Sequence, residues 1–406
     1  MRRLANGGAT VLFGLYGLAA RLHAAIRPWR GAQEPIHRIL VIRLDLMGDV
    51  VFSIPALEAL ARTFPQARVD VLVLPYTAPL LRTVPAVGKV HELDVNAYRR
   101  WRGWPSVSAL LASIGKLRSE RYDLAVGLSG RMGGVFAVLC GARWRLGYGP
   151  ETYSGCYQLG VDDCRYRRPV HEVDYCLDLL GVLGIDSGQP VQTASDASSA
   201  LPAGAARPSL PREGWPPLAV DLEPSSPYVV LVPGASNGRA KRWPTLSWGG
   251  LGDRLSRELG LRIVLCGGQD EGPLGREIAR AMREPVQDLI GWTSVPKLAG
   301  VLLHASLVVA GDTGPLHLAA ALGTPVVGIF GPTDPVNTGP LGEYTAALRL
   351  GLPCSPCYDL RSPAECKLPD KSVICMVQLP VNRVFDAARD LLTRTSSEAP
   401  VPSSTP

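Results

Sequence analysis

The stretch Val308-Val309-Ala310-Gly311-Asp312-Thr313-Gly314-Pro315-Leu316-His317-Leu318-Ala319-Ala320-Ala321-Leu322-Gly323-Thr324-Pro325-Val326-Val327-Gly328-Ile329 reads as a buried strand, a tight polar turn, a short helix and a second buried strand. The run ending at Val309 is apolar and β-branched, as a parallel strand covered on both faces should be. Pro315 suits the first helical position, where the amide it lacks would have had no intrahelical partner. Gly323 stops the helix and Thr324-Pro325 leads into the next strand. Asp312-Thr313-Gly314 therefore sits where amides converge at a helix N-terminus, a natural seat for phosphate, with His317 one turn on. A plainer reading stands beside this one: Asp312 and Thr313 serve only to cap the helix.

The same alternation extends in both directions. Upstream, Tyr228–Val232 is a strand, Pro233–Pro244 a basic glycine-containing loop, Leu246–Leu259 a helix stopped by Gly260, and Ile263–Cys266 a strand ending in Gly267-Gly268. Further back, Ile39–Ile42 is a strand, Arg43–Asp49 its loop, and Val50–Thr63 a single helix containing Pro55. Strands at Val69–Leu74, Val90–Leu93 and Tyr122–Leu128 alternate with helices at Ala78–Thr83, Ser106–Arg118 and Gly133–Cys140. Helices alternating with apolar strands predict an α/β fold with parallel, doubly wound sheets. The Ser/Ala/Pro-rich texture of 189–227 lacks apolar periodicity and reads as a linker. The expected organisation is a segment 1–36, a first domain 37–188, the linker 189–227, a second domain 228–394 and a disordered tail 395–406.

At 406 residues the chain is long enough for two domains, and a hydrophobic fraction of 46% allows large cores. A net charge of +6 suits anionic small molecules or an anionic membrane surface. Without a clustered basic helix it does not point to nucleic acid. Nine cysteines, an odd number, and no evident cleavable signal argue against a secreted disulfide scaffold and for a reducing cytoplasm. Arg2 and Arg3, the apolar run Ala9–Ala20, and then Arg21, Arg27 and Arg30 fit an interfacial helix on anionic lipid. The run is short for a membrane span. A helix packed on its own domain is the competing reading.

Open α/β sheets bind ligands beyond the carboxyl ends of their strands. Four polar sets fall there: Arg43–Asp49, Ser236–Arg242, Gly267–Glu271 and Asp312–His317. No Gly-x-Gly-x-x-Gly dinucleotide fingerprint, Walker loop or Gly-x-Ser-x-Gly elbow occurs in the right place. That argues against a nicotinamide oxidoreductase, a P-loop kinase and an α/β-hydrolase. The order Ile-Arg-Leu-Asp-Leu-Met-Gly-Asp-Val (42–50) with Ile54-Pro55-Ala56-Leu57 resembles the opening of glycosyltransferase family 9, the heptosyltransferase family. Val232-Pro233-Gly234-Ala235-Ser236 with Lys241-Arg242-Trp243-Pro244 resembles it too. So do Gly311–Gly323 with Phe330-Gly331-Pro332-Thr333-Asp334-Pro335, and the shorter Leu146-Gly147-Tyr148, His171-Glu172-Val173-Asp174 and Asp288-Leu289-Ile290-Gly291.

The resemblance implies a GT-B arrangement of two Rossmann-like domains with a cleft between them. It implies inverting transfer of a sugar, heptose from ADP-heptose, onto a lipopolysaccharide-type or other cell-surface glycan, without metal or cofactor in the catalytic step. By position, Asp49 matches the proposed catalytic base. Lys241 matches the donor-phosphate lysine, and Asp312, Thr313, Gly314 and His317 match the loop holding the diphosphate. Ser236 and Glu271 join the donor side, with Glu271 toward the ribose, and Arg43 and Asp45 lie on the acceptor side. Leu44-Asp45-Leu46 departs from the small hydroxyl residues common before the base.

The chemistry agrees independently. A lysine and helix-terminal amides stabilise a departing diphosphate without metal, and a carboxylate can take the acceptor's proton. Asp49 as a cap of the following helix, and Lys241 as a solvated loop charge, are the structural alternatives. A lipid-linked acceptor would place the protein on the inner face of a membrane, cytoplasmic and peripheral. The rival function is a catalytically idle GT-B protein that binds a nucleotide or glycan. Separately, Cys354-x-x-Cys357 with Cys366 and Cys375 could form a structural zinc or iron–sulfur site, or remain simple thiols. The other cysteines read as small buried apolar groups.

Overall fold

The computed structural model describes residues 29, 34–95, 104–149, 154–163, 169–185, 206–216, 226–235, 238–358 and 365–398. The chain divides into two compact units, Met1–Pro190 and Val191–Pro406.

The first unit is built on β1 (Arg38–Arg43), β2 (Arg68–Val73), β3 (Val90–Glu92), β4 (Leu124–Gly127), β5 (Trp144–Gly149) and β6 (Leu159–Asp162), in the order β3-β2-β1-β4-β5-β6. All neighbours run parallel, with Ile42 opposite Leu72 on one side and Gly127 on the other. The second unit carries β7 (Tyr228–Val232), β8 (Arg262–Leu265), β9 (Val286–Asp288), β10 (Leu307–Gly311), β11 (Val326–Ile329) and β12 (Thr345–Leu348), in the order β12-β11-β10-β7-β8-β9. It too is parallel throughout, with Val309 opposite Leu231 and Val327. Every residue of β7 and β10 is buried, as near-continuous apolar runs require when helices cover both faces. Counted within its own unit, each sheet runs 3-2-1-4-5-6, so both are Rossmann-like and doubly wound. The order reverses between β1 and β4 and between β7 and β10, and the loops parting there open the ligand crevice of such a sheet.

Several elements differ from the sequence reading, each for a local reason. The helix expected over Val50–Thr63 is two, α1 (Met47–Phe52) and α2 (Ile54–Thr63), broken at Ser53. Pro55 has no amide to give to the preceding turn, so a new helix starts with Pro55 in its first turn, where the loss costs nothing. Asp49 consequently lies inside the first turn of α1 and not in the loop before a helix.

Strands β5 and β6 escaped notice because glycines break their pattern. A Cβ at Gly127 in β4 would collide with the Tyr157 hydroxyl, and one at Gly147 in β5 with the Tyr157 ring, so the buried tyrosine needs both glycines. Part of the Ser/Pro-rich stretch read as linker lies against the second unit. Leu210 is buried and donates to the Ala321 carbonyl at 2.9 Å, and the Arg212 guanidinium donates to that of Leu322 at 3.0 Å. The last helix runs to Glu398, into the expected tail. Thr395 and Ser396 turn their hydroxyls back onto the carbonyls of Leu391 and Leu392, which accommodates these residues in a helix.

Candidate functional site

At the reversal point of the first sheet the organising residue is Arg43, the last of β1. Its side chain is 2% exposed, yet every arm has a partner. Nη2 meets Glu172 Oε1 at 2.8 Å and Asp49 Oδ1 at 3.6 Å, while Nη1 lies 3.4 Å from Asp45 Oδ2. Nε donates to the Asp49 carbonyl at 3.0 Å and Nη1 to that of Leu128 at 2.7 Å. Only a planar fork of five donors can serve that many acceptors from one buried point.

The loop after β4 closes the arrangement. Ser129 accepts from the Leu44 amide at 2.6 Å and donates to Asp45 Oδ2 at 2.6 Å. Glu172 comes from a helix, Glu172–Leu180, whose N-cap His171 accepts from the Val173 amide and sets its ring edge on Phe52 of α1. Three carboxylates thus gather on one arginine, and Asp49 is the most open, with 39% of its side chain exposed.

The structure therefore brings together Asp49, Arg43 and Asp45, and adds three groups the sequence reading did not assign. Glu172 was visible only as part of the short family match 171–174, and Ser129 carried no signal. Tyr76 also carried none. It is 42% exposed, and its hydroxyl turns to the Met47 backbone. Burial of the hydroxyl and the charges of Asp49 and Asp45 push its pKa up to about 12, so it stays a neutral phenol. Asp49 is not a helix cap: Leu46 holds that position, and no side chain caps α1.

The second unit repeats the design at β7 and β10. Lys241, in a single turn Arg239–Lys241, sets Nζ 3.0 Å from Asp312 Oδ2, with the two side chains 11% and 7% exposed. His317 Nε2 lies 3.3 Å from Asp312 Oδ1. Burial works against charge on Asp312, but Lys241 and His317 outweigh it and hold its pKa far below the usual carboxylate range. An ionised carboxylate only accepts, so His317 Nε2 is the donor in this pair. The Lys241 ammonium also lies 4.5 Å from the Tyr358 ring centre. Thr313 is the N-cap residue of Gly314–Ala321 but makes no cap bond, its hydroxyl reaching the Gly311 carbonyl at 3.2 Å. Neither Asp312 nor Thr313 is spent on capping.

Glu271 approaches from the loop after β8. Its Oε2 accepts from the Gly268 amide at 2.9 Å, and its carboxyl fills the space where a Cβ at Gly234 would stand, 1.9 Å from Oε1. The first glycine past β7 is therefore a seat for this carboxylate. Ser236 lies outside the described residues, as does the apolar run Ala9–Ala20. Among the described residues no helix is long and apolar enough to cross a membrane.

The cysteine quartet does not form the ligand set its spacing suggested. Cys354 is exposed, Cys357 and Cys366 are part-buried, and Cys375 is buried against Gly331. Burial and the neighbouring thiols of Cys357, Cys354 and Cys366 push Cys375 up to about 11. Among the described residues no three His, Cys, Asp or Glu side chains converge as a metal site. The loop carrying Cys354 and Cys357 is bonded to the backbone of Gly331 and Pro332, the segment against which Cys375 is also buried. Cys140, Cys156, Cys176 and Cys266 are buried thiols.

Comparison with known proteins gives one answer from three directions. The family model of glycosyltransferase family 9 (heptosyltransferase) matches residues 111–368. Lipopolysaccharide heptosyltransferase 2 of Escherichia coli K12 is 28% identical over 331 residues, covering 77% of this chain and 88% of its own. Lipooligosaccharide heptosyltransferase 2 of Haemophilus influenzae is 26% identical over 329 residues, with the same 77% and 88% coverage. The solved structure of the E. coli ADP-heptose lps heptosyltransferase II superposes with a TM-score of 0.65 at 25% identity, over 88% of this chain and 99% of that one.

Proposed function

From the premise that this chain belongs to glycosyltransferase family 9, we propose that it is an inverting heptosyltransferase, using ADP-heptose and a lipid-linked, lipopolysaccharide-type glycan acceptor. Family membership decides for an enzyme over an idle binding protein. The observation that carries the donor reading is the buried Lys241–Asp312–His317 set at the reversal point of the second sheet.

In this reading the acceptor hydroxyl attacks the anomeric carbon as the carbon–oxygen bond to the diphosphate breaks. Asp49 takes the hydroxyl proton, and ADP leaves with the bonding electron pair. Charge grows on the diphosphate during that step. A buried ammonium already fixed in place meets it without reorganisation, the usual source of electrostatic catalysis. Asp312 holds Lys241, and Thr313, Gly314 and the helix start supply neutral dipoles to the phosphates. Glu271, acceptor-only when ionised, suits the ribose hydroxyls.

Arg43, Glu172 and Asp45 fix Asp49 at the start of α1. The Arg43 guanidinium beside it pairs with the Asp49 carboxylate, the form that can accept a proton. The acceptor's lipid anchor and the arginine-flanked run Ala9–Ala20 support a site of action on the inner face of an anionic membrane.

Titration of ADP into the wild-type protein and Lys241→Gln tests the donor reading. Gln still donates to Asp312 but carries no charge. A charge-assisted contact is worth ~1.5–3 kcal/mol, so ADP affinity should fall ~10–150-fold. Equal affinity would remove Lys241 from the donor site.

A further inference from the structure

The cysteine-rich loop after β12 was absorbed by no function, yet it delivers one side chain to the centre of the second unit. Tyr358 sets its ring face 4.5 Å from the Lys241 ammonium, opposite chemistry to the carboxylate at 3.0 Å. The loop is held for this. The amides of Cys357 and Tyr358 both donate to the Pro332 carbonyl at 2.9 Å, and the Ser355 hydroxyl donates to that of Gly331. Arg349 bridges Asp334 at 2.9 Å and donates to the Ser355 carbonyl at 3.2 Å. The backbone of Tyr358 is thereby stapled to the Gly331–Asp334 segment that follows β11.

We propose that Tyr358 is a positioning residue for the donor-phosphate lysine: its ring and Asp312 form a half-cage that fixes the Lys241 ammonium where a diphosphate meets it. The proposal rests on the donor reading above. Lysine is a compact cation on a flexible four-carbon stem, so one contact with Asp312 does not define where its charge sits. A second carboxylate would fix it but would also repel the diphosphate. An aromatic face attracts the cation through its quadrupole, adds no net charge, and does so most strongly where water is excluded. With its side chain 11% exposed, Lys241 is in that condition.

The test is a double-mutant cycle on ADP affinity. The full-length protein is first titrated with ADP, GDP, UDP and CDP, and the tightest serves as probe if it is not ADP. Wild type, Tyr358→Phe, Tyr358→Leu, Lys241→Gln and the Tyr358→Leu/Lys241→Gln double variant are then compared, with melting curves to confirm folding. Phe keeps the ring face, whereas Leu fills space without it. Tyr358→Phe should bind within ~2-fold of wild type and Tyr358→Leu ~5–30-fold more weakly, the range for a partly to fully desolvated cation–π contact. In the Lys241→Gln background the Leu substitution should change affinity by less than ~2-fold, because no cation remains to be held.

A Leu variant that binds as well as wild type, or better, overturns the proposal, as does a Phe variant as weak as Leu. A Leu effect that persists without the lysine charge overturns it as well, since Tyr358 would then act by packing or by touching the nucleotide. If Lys241→Gln leaves binding unchanged, or no nucleoside diphosphate binds at all, both this proposal and the donor reading fall. The earlier outcomes remove Tyr358 alone.

Discussion

Arg43→Met should be the most damaging single change in the first unit that leaves the apolar core untouched. Met matches the length of the stem but removes the guanidinium. Glu172 then loses a partner at 2.8 Å, the Asp49 and Leu128 carbonyls lose donors at 3.0 and 2.7 Å, and Asp45 and Asp49 lose a cation within 4 Å. Breaking a buried pair by removing one partner costs ~3–5 kcal/mol. The lower end applies here, because Asp49 and Asp45 are 39% and 34% exposed and solvent screens part of their loss.

A domain's stability is ~5–15 kcal/mol, so the variant should fold but unfold at markedly lower denaturant. The same change should move catalysis. Removing a cation 3.6 Å from Asp49 and leaving two carboxylates nearby disfavours the ionised form of Asp49. The acid limb of the kcat/KM profile should therefore shift up. Urea unfolding and the pH–rate profile on one preparation check both parts. A variant within ~1 kcal/mol of wild type, with an unmoved acid limb, would refute the reasoning about Arg43.

Asp49→Asn keeps the shape and the start of α1 but cannot accept a proton, so turnover should fall ~10²–10⁴-fold at an unchanged melting temperature. Gly234→Ala puts a methyl 1.9 Å from Glu271 Oε1, which should displace that carboxylate, cost ~1–3 kcal/mol in urea unfolding and weaken nucleotide binding. The companion Gly234→Ala/Glu271→Gly should recover stability but not binding. Glu120 is held by Lys89 and Arg68, at 2.6 and 2.5 Å, and its pKa is lowered from 4.5 to about 2. Its contribution is therefore full above pH ~4.5 and lost as pH falls toward 2, and Glu120→Gln should flatten acid unfolding in that window. Deleting residues 1–30 should move the protein from membrane to soluble fractions without changing its melting temperature, as fractionation beside a melting curve would show.

The fold was legible because burial on both faces writes parallel strands as apolar runs, and β1, β7, β10 and β11 are such runs. Strand β5 was not, because packing of Tyr157 demands glycine at 147 where a strand former would otherwise stand, and β6 is only four residues long with Gly160 inside it. The loops of the candidate site were legible from their position at strand ends, and the match to a family supplied roles that residue chemistry left open. What stayed hidden were partners distant in the chain. Glu172 lies 129 positions from Arg43, and Tyr358 comes to Lys241 on a loop whose cysteines drew attention to metal chemistry instead. Asp49 was placed in a loop because α1 starts at Met47, three residues before the expected Val50, behind a leucine N-cap that carries no capping signal.

The central claim is tested most directly by incubating the purified protein with ADP-heptose and a lipopolysaccharide core acceptor, in the presence of EDTA. Released ADP is counted and the anomeric configuration of the new linkage read by NMR. The account predicts one ADP per heptose transferred and a linkage inverted relative to the donor. A retained configuration, or indifference to ADP-heptose while another nucleotide sugar is consumed, would contradict it.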